Sequence, residues 1–112
     1  MSSAPTLAEM QALADQVKDG IMMRSGRPIQ EFVVEKFRIQ NVQGSLYTAF
    51  KVRGVYASWI DLALQISKIR AGGGRYLHAE VFQHNGSPPV LVGLERYRTA
   101  DDPLIEVAHY AA

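Results

Sequence analysis

Four segments of the chain are dense in aromatic and β-branched residues, and this pattern constrains the fold more than any other feature. They fall into two pairs, and a short polar sequence separates the members of each pair. The segments are Glu31–Gln40, Leu46–Arg53, Arg75–His84 and Val90–Tyr97. Such a composition is typical of β-strands, and the polar sequences between them indicate hairpin turns. The chain is therefore predicted to form an antiparallel sheet that contains two hairpins.

A capping box predicts where the first helix begins. Thr6 and Glu9 have the spacing at which each side chain binds the backbone N–H of the other residue, and apolar residues three or four positions apart follow them. The helix is predicted to run to Asp19, with Gly20 as its stop. Ile21–Met23 would allow one further turn, so this boundary stays open.

A second capping box, between Ser58 and Asp61, predicts a second helix over Ser58–Arg70. Apolar residues lie on most sides of this predicted helix, so it is expected to be the more buried of the two helices. The run Gly72–Gly74 follows it and resembles a phosphate-binding loop. Phosphate binds at helix N-termini, however, because free N–H groups point outward there. A glycine run after a helix C-terminus is therefore interpreted as a flexible cap.

A fifth strand is expected over Leu104–Tyr110, after a turn at Thr99–Pro103. The order α-ββ-α-βββ predicts an α+β fold, with a single antiparallel sheet of about five strands and two helices packed on one face. The length of 112 residues fits one domain over the whole chain, with residues 1–5 as a flexible N-terminus. In this arrangement the other face of the sheet stays uncovered.

The composition excludes several classes of protein. The chain has no cysteine, so it has no disulfide, no thiol nucleophile and no cysteine-ligated metal site. It contains no apolar run of about 18 residues and no basic, apolar leader, so a cytoplasmic protein without a membrane span is expected. Phosphate-loop, dinucleotide-binding and hydrolase motifs do not occur, and neither a cofactor nor a set of catalytic residues is predicted.

The net charge of +1 conceals a basic central segment, because residues 18–75 carry ten cations and only four anions. Strand alternation places four of these cations on one face of the first hairpin, together with Tyr47. The cations are Lys36, Arg38, Lys51 and Arg53. Proteins bind single-stranded nucleic acid with positive charge and aromatic stacking, so this face is a candidate nucleic-acid site. The other interpretation is a solvated face whose long side chains cover apolar surface.

The second hairpin predicts a polar cluster around His78. Alternation places Glu80 on the same face, and a four-residue turn places Glu95 opposite His78. Two carboxylates favour the charged imidazolium, so a pKa above the usual value of about 6.5 is expected for His78. A polar surface cluster is the preferred interpretation. A small enzyme or a metal site at these three residues is a further hypothesis, although no bound metal is predicted.

The preferred functional hypothesis is a small non-enzymatic binding module. Such a module would recognise a protein partner, or a second copy of itself, through the uncovered sheet face or an edge strand, as accessory and inhibitor proteins do. Aromatic residues and arginine are enriched at interfaces, and this face is predicted to carry both. The predicted binding residues are Lys36, Arg38, Tyr47, Lys51, Arg53, Tyr76, Phe82 and Tyr97. Binding of nucleic acid by the basic face is the alternative.

Overall fold

The computed structural model describes residues 6–41, 62–84, 88–105 and 107. Within these ranges the chain forms two helices and four strands. They are α1 (Leu7–Gln16), α2 (Lys18–Ser25), β1 (Val33–Asn41), β2 (Leu62–Gly72), β3 (Arg75–His84) and β4 (Val90–Arg98). The strands form one sheet in the order β1-β2-β3-β4, and every neighbouring pair is antiparallel. The expectation of an α+β fold with one antiparallel sheet is confirmed in this part of the chain.

The capping box forms at the start of α1, as predicted. The Glu9 N–H donates to the Thr6 hydroxyl at 3.1 Å, and the Thr6 N–H donates to the Glu9 carboxylate at 3.0 Å. The predicted stop at Gly20 is wrong, because α2 continues through this residue and ends only before Gly26, whose φ is 73°. Complete burial of Ile21 contributes about 2 kcal/mol, which exceeds the roughly 1 kcal/mol that a helical glycine costs.

The segment predicted as the second helix forms the strand β2. The predicted helix is wrong from Leu62 onward, and residues 58–61 lie outside the described part of the chain. The two faces of β2 bury two pairs of apolar side chains, each no more than 2% exposed: Leu64 with Ile66, and Ile69 with Ala71. A strand that is buried on both faces has apolar residues at odd and even positions. It therefore lacks the alternation by which a half-buried strand is identified in a sequence.

The remaining strand predictions have different outcomes. The hairpin of β3 and β4 is confirmed, and β1 coincides with most of the first predicted strand. The second predicted strand, Leu46–Arg53, lies outside the described residues, and the neighbour of β1 in the described sheet is β2. Leu104, Ile105 and Val107, the described residues of the predicted fifth strand, belong to no strand. Both helices precede β1, so the order α-ββ-α-βββ is not found in the described ranges.

A hydrophobic core joins the two helices to one face of the sheet. Its buried residues are Met10, Leu13, Ala14, Val17, Ile21, Val34, Ile69, Ala71, Leu77, Ala79 and Val81. Gln11 also fixes α1 to the chain at the start of β1, because its amide donates to the Phe32 carbonyl at 3.1 Å and accepts the Val34 N–H at 2.7 Å. In the part of the chain that the structure describes, neither helix is long and apolar enough to cross a membrane.

The opposite face of the sheet is also covered over β2 and β3. Tyr76 and Phe82 on this face are 8% and 2% exposed. The chain after β4 reaches it, since the Lys68 ammonium donates to the backbone carbonyls of Ala100 and Asp102, each at 2.7 Å. The expectation of an uncovered sheet face is therefore wrong for these two strands, and the segment after β4 contributes to the cover at Lys68.

Replacing Gly72 by alanine is expected to lower the free energy of unfolding by about 2 kcal/mol. Gly72 has a φ of 99°, which strains alanine, and an added Cβ atom would lie 2.8 Å from the Cβ atom of Gln30. Equilibrium unfolding in urea measures the change. Gly73→Ala is the matched control, since Gly73 has a φ of 62° but nothing lies within 4 Å of its added Cβ atom. An equal loss in both variants would rule out a contribution from the contact with Gln30.

Candidate functional site

The structure describes two of the four cations predicted for the basic face. Lys36 and Arg38 are exposed on β1, and the Arg38 guanidinium donates to the Leu104 carbonyl at 3.1 Å. Lys36 lies opposite Lys68, which is buried. The other residues predicted for this face lie outside the described part of the chain: Tyr47, Lys51 and Arg53. Binding of nucleic acid by this face therefore stays a prediction.

The other three aromatic residues of the predicted binding face differ in exposure. Tyr76 and Phe82 are buried, so little of their surface is accessible to a binding partner. The Tyr76 hydroxyl donates to the Glu35 carboxylate at 3.3 Å, and burial together with this carboxylate raises the pKa of Tyr76 above its usual value of 10.0. Tyr97 on β4 is 63% exposed. Of these three residues, Tyr97 alone presents a large aromatic surface to solvent.

The polar cluster around His78 forms with the predicted pairing but in a different environment. His78 lies opposite Glu95 on β4, as predicted, and opposite Lys68 on β2. Its side chain is 1% exposed. Burial, followed by the positive charges of Lys68 and Arg98, lowers the pKa of His78 to about 4. The predicted rise of this pKa is wrong, because the covered face removes water from the imidazole and places a lysine beside it.

The enzyme or metal hypothesis placed the chemistry at His78, Glu80 and Glu95. Glu80, the third residue of the hypothesis besides His78 and Glu95, is 0% exposed. Within the described ranges, no three histidine, aspartate or glutamate side chains form a group that could hold a metal ion. Since His78 and Glu80 are both buried in a covered face, we interpret them as structural groups.

One end of the sheet is a candidate site that sequence analysis missed. At this end β1 and β3 stop and β2 and β4 start, so the connections 42–61 and 85–89 both leave from it. We call it the connection end and define it by its described residues: Ile39–Asn41, Leu62–Leu64, Phe82–His84 and Pro88–Val90. Ile39 is 39% exposed, and Pro88 is exposed as well. The predicted helix over residues 58–70 would not bring these two connections to the same end of the sheet. The wrong helix prediction is therefore the reason that the sequence did not indicate this site.

A cavity lies beside the connection end, between α1 and the strands β2 and β3. Its volume is about 270 Å³, and Met10 and Leu13 of α1 line one side. On the other side the Gln65 amide donates to the Gln83 carbonyl oxygen at 3.3 Å. The cavity therefore combines an apolar wall with amide groups that can form hydrogen bonds, as small binding pockets do.

No family model matches the chain. In sequence, the chain is similar to leukocyte cysteine proteinase inhibitor 1 of Sus scrofa, with 27% identity over 103 residues. The match covers 89% of this chain and 82% of that protein. The similarity therefore extends over most of both chains, and it fits a small inhibitor module.

Proposed function

We propose that this chain inhibits cysteine proteinases. The observation that carries the proposal is the similarity to leukocyte cysteine proteinase inhibitor 1, which covers 89% of this chain. The size of the domain also supports it. Interfaces between proteinases and their inhibitors bury only about 800 Å² on each partner, and one end of a small domain provides such an area.

The absence of cysteine constrains how such an inhibitor works. Cysteine proteinases attack their substrates with a thiolate. This chain has no cysteine, so it forms no disulfide with that thiolate. Inhibition is therefore expected to involve no disulfide with the proteinase and to be unaffected by a reducing agent.

The connection end is the surface that we propose for the contact with the proteinase. Helices cover one face of the sheet, and Tyr76 and Phe82 are buried in the other, so the faces of β2 and β3 offer little accessible surface. Connections held by a rigid sheet are the segments that most often carry binding in proteins. At this end the exposed side chains of Ile39 and Pro88 supply apolar surface that a proteinase cleft can bury.

Titration of the purified chain against several cysteine proteinases tests the proposal. Hydrolysis of a fluorogenic peptide is expected to fall as the chain is added, with a dissociation constant of about 1 µM or lower. A serine proteinase assayed in the same way is the control and is expected to keep its activity. Full activity of every cysteine proteinase at about 100 µM of the chain, or cleavage of the chain as an ordinary substrate, would overturn the proposal.

A matched pair of variants on β1 tests the proposed contact surface. Ile39→Glu places a charge at the connection end and is expected to raise the inhibition constant by about tenfold or more. Val33→Glu introduces the same charge at the other end of β1, where Val33 is 38% exposed compared with 39% for Ile39. It is expected to change the inhibition constant by less than about twofold. A larger effect of Val33→Glu than of Ile39→Glu would show that the proteinase binds elsewhere.

A further inference from the structure

A groove lined by arginines lies at the end of the sheet opposite the connection end. Its volume is about 450 Å³, and its walls come from the chain after α2, from the turn between β2 and β3, and from the end of β4. Gly73 and Gly74 form the turn with φ angles of 62° and 77°. Nothing lies within 4 Å of a Cβ atom added to either glycine, so the backbone of the turn is open to a ligand. The glycine run is thus a hairpin turn, and the sequence-based interpretation as a helix cap is wrong.

Arg75 lines this groove and carries two hydrogen-bond donors that have no partner in the described part of the chain. Its Nε and Nη2 atoms are buried from solvent and have no hydrogen-bond partner in the structure. These two nitrogens form one side of the guanidinium and point two parallel N–H groups in the same direction, which is the geometry that binds an oxyanion through two oxygens. Buried donors without a partner are unfavourable, so rotation of the Arg75 side chain towards an acceptor in the groove would be stabilising.

The charge of the groove has the sign that such an acceptor requires. Arg27, Arg75 and Arg98 line it, and no aspartate or glutamate is among its described lining residues. Arg98 pairs with Glu95, which lies outside the groove, at 3.7 Å. Arg27 lies 5.7 Å from the centre of the Tyr97 ring, at the rim. Glu95 offsets only part of this charge, so the three arginines together create a positive potential that attracts anions.

We propose that this groove binds a phosphate group, either as inorganic phosphate or as the phosphomonoester of a small molecule. Arg75, turned into the groove, donates the two parallel hydrogen bonds, and Arg27 and Arg98 neutralise the second negative charge. The groove is larger than a phosphate ion, and the exposed Tyr97 ring at its rim offers a stacking surface for the remainder of a ligand. Because the groove and the connection end lie at opposite ends of the sheet, phosphate binding is independent of proteinase inhibition.

Titration with inorganic phosphate, monitored by NMR at constant ionic strength, tests the proposal. The ¹H–¹⁵N signal of Arg75 Nε is expected to shift and to saturate with a dissociation constant of about 1–10 mM. Adenosine monophosphate, as the phosphomonoester, is expected to bind more tightly than inorganic phosphate, because its base can stack on the Tyr97 ring. Tyr97→Ala would then weaken the binding of the nucleotide and leave that of inorganic phosphate unchanged.

Three variants distinguish a specific phosphate site in the groove from nonspecific electrostatic attraction. Arg75→Gln and Arg75→Lys are both expected to weaken phosphate binding by about tenfold, since lysine keeps the charge but loses the parallel donors. Lys36→Gln removes the same charge from an exposed position outside the groove, and it is expected to change the affinity by less than about twofold. Inhibition of a cysteine proteinase is expected to be the same in Arg75→Gln as in the parent chain.

Two results would overturn the phosphate site. One is an unchanged Arg75 signal up to about 50 mM phosphate in the folded parent chain. The other is an equal loss of affinity in Arg75→Gln and Lys36→Gln, which would mean that phosphate binding depends on the net charge of the protein and not on the groove. Neither result would affect the proposed inhibition of proteinases, because that activity is assayed separately and at the other end of the sheet.

Discussion

The Lys68→Ala variant is expected to lose about 3 kcal/mol of the free energy of unfolding. The Lys68 side chain is buried, and its ammonium donates hydrogen bonds of 2.7 Å to the carbonyls of Ala100 and Asp102. Truncation removes both bonds and leaves a void in a covered face of the sheet. Each hydrogen bond from a charged donor contributes about 1.5 kcal/mol or more, so the two together account for most of the expected loss. Equilibrium unfolding in urea measures it.

Lys36→Ala is the matched control for this effect. Lys36 lies opposite Lys68 in the sheet but is exposed, so its truncation is expected to change stability by less than about 0.5 kcal/mol. Limited proteolysis adds a second measurement, because loss of the Lys68 hydrogen bonds is expected to make residues 99–105 the first segment to be cleaved. Similar stability of the two variants would contradict the role of Lys68 in holding this segment.

Acidification from pH 6.5 to pH 4 is expected to lower the free energy of unfolding by about 3 kcal/mol through His78 alone. The pKa of this residue falls from 6.5 to about 4 on folding, so the unfolded chain binds its proton first as the pH is lowered. The contribution of His78 to stability is therefore complete above pH 6.5 and is lost as the pH falls to about 4. Lys68 and Arg98 support the neutral form, and Asp102 and Glu95 oppose it more weakly.

An NMR titration of the imidazole measures the pKa of His78 directly. His78→Gln provides the thermodynamic counterpart, because a residue that does not titrate is expected to flatten the dependence of stability on pH in this window. Lys68→Ala is expected to raise the pKa of His78, since it removes a positive charge that disfavours the imidazolium. A measured pKa above 6.5 in the parent chain would contradict the burial of this side chain.

Elements with local signals could be predicted from the sequence. The capping box of Thr6 and Glu9 lies within one helical turn, so it predicts the start of α1 without knowledge of the rest of the fold. The hairpin of β3 and β4 follows from alternation and a short turn, and even the pairing of His78 with Glu95 is as predicted. The strand β2 could not be found in this way, because both of its faces are buried and its pattern of apolar residues matches a buried helix equally well.

The environment of the candidate site depends on contacts between segments that are distant in sequence. Strand alternation assigns Tyr76 and His78 to the same face correctly, but it does not show what covers that face. Lys68 donates a hydrogen bond to the Ala100 carbonyl, which lies far along the chain, and no local sequence pattern in either segment indicates this contact. Burial then reverses the expected direction of the His78 pKa. The groove at Arg75 could not be predicted for a related reason. Its glycine turn joins β2 to β3, and the sequence analysis predicted a helix in place of β2.

The connectivity of the sheet has a consequence for the order in which the chain folds. β2 and β3 are neighbours in sequence and are joined by a tight turn. Its two glycines have the positive φ angles that such hairpin turns require. β1 and β2 are separated in sequence by residues 42–61, and the entropy cost of bringing two segments together grows with the length of chain between them. Contacts between residues that are close in sequence form first, so the β2–β3 hairpin is expected to be the folding nucleus. β1 and α1, which Gln11 fixes to each other, would then dock together as one late unit, so the pairing of β1 with β2 would complete the core.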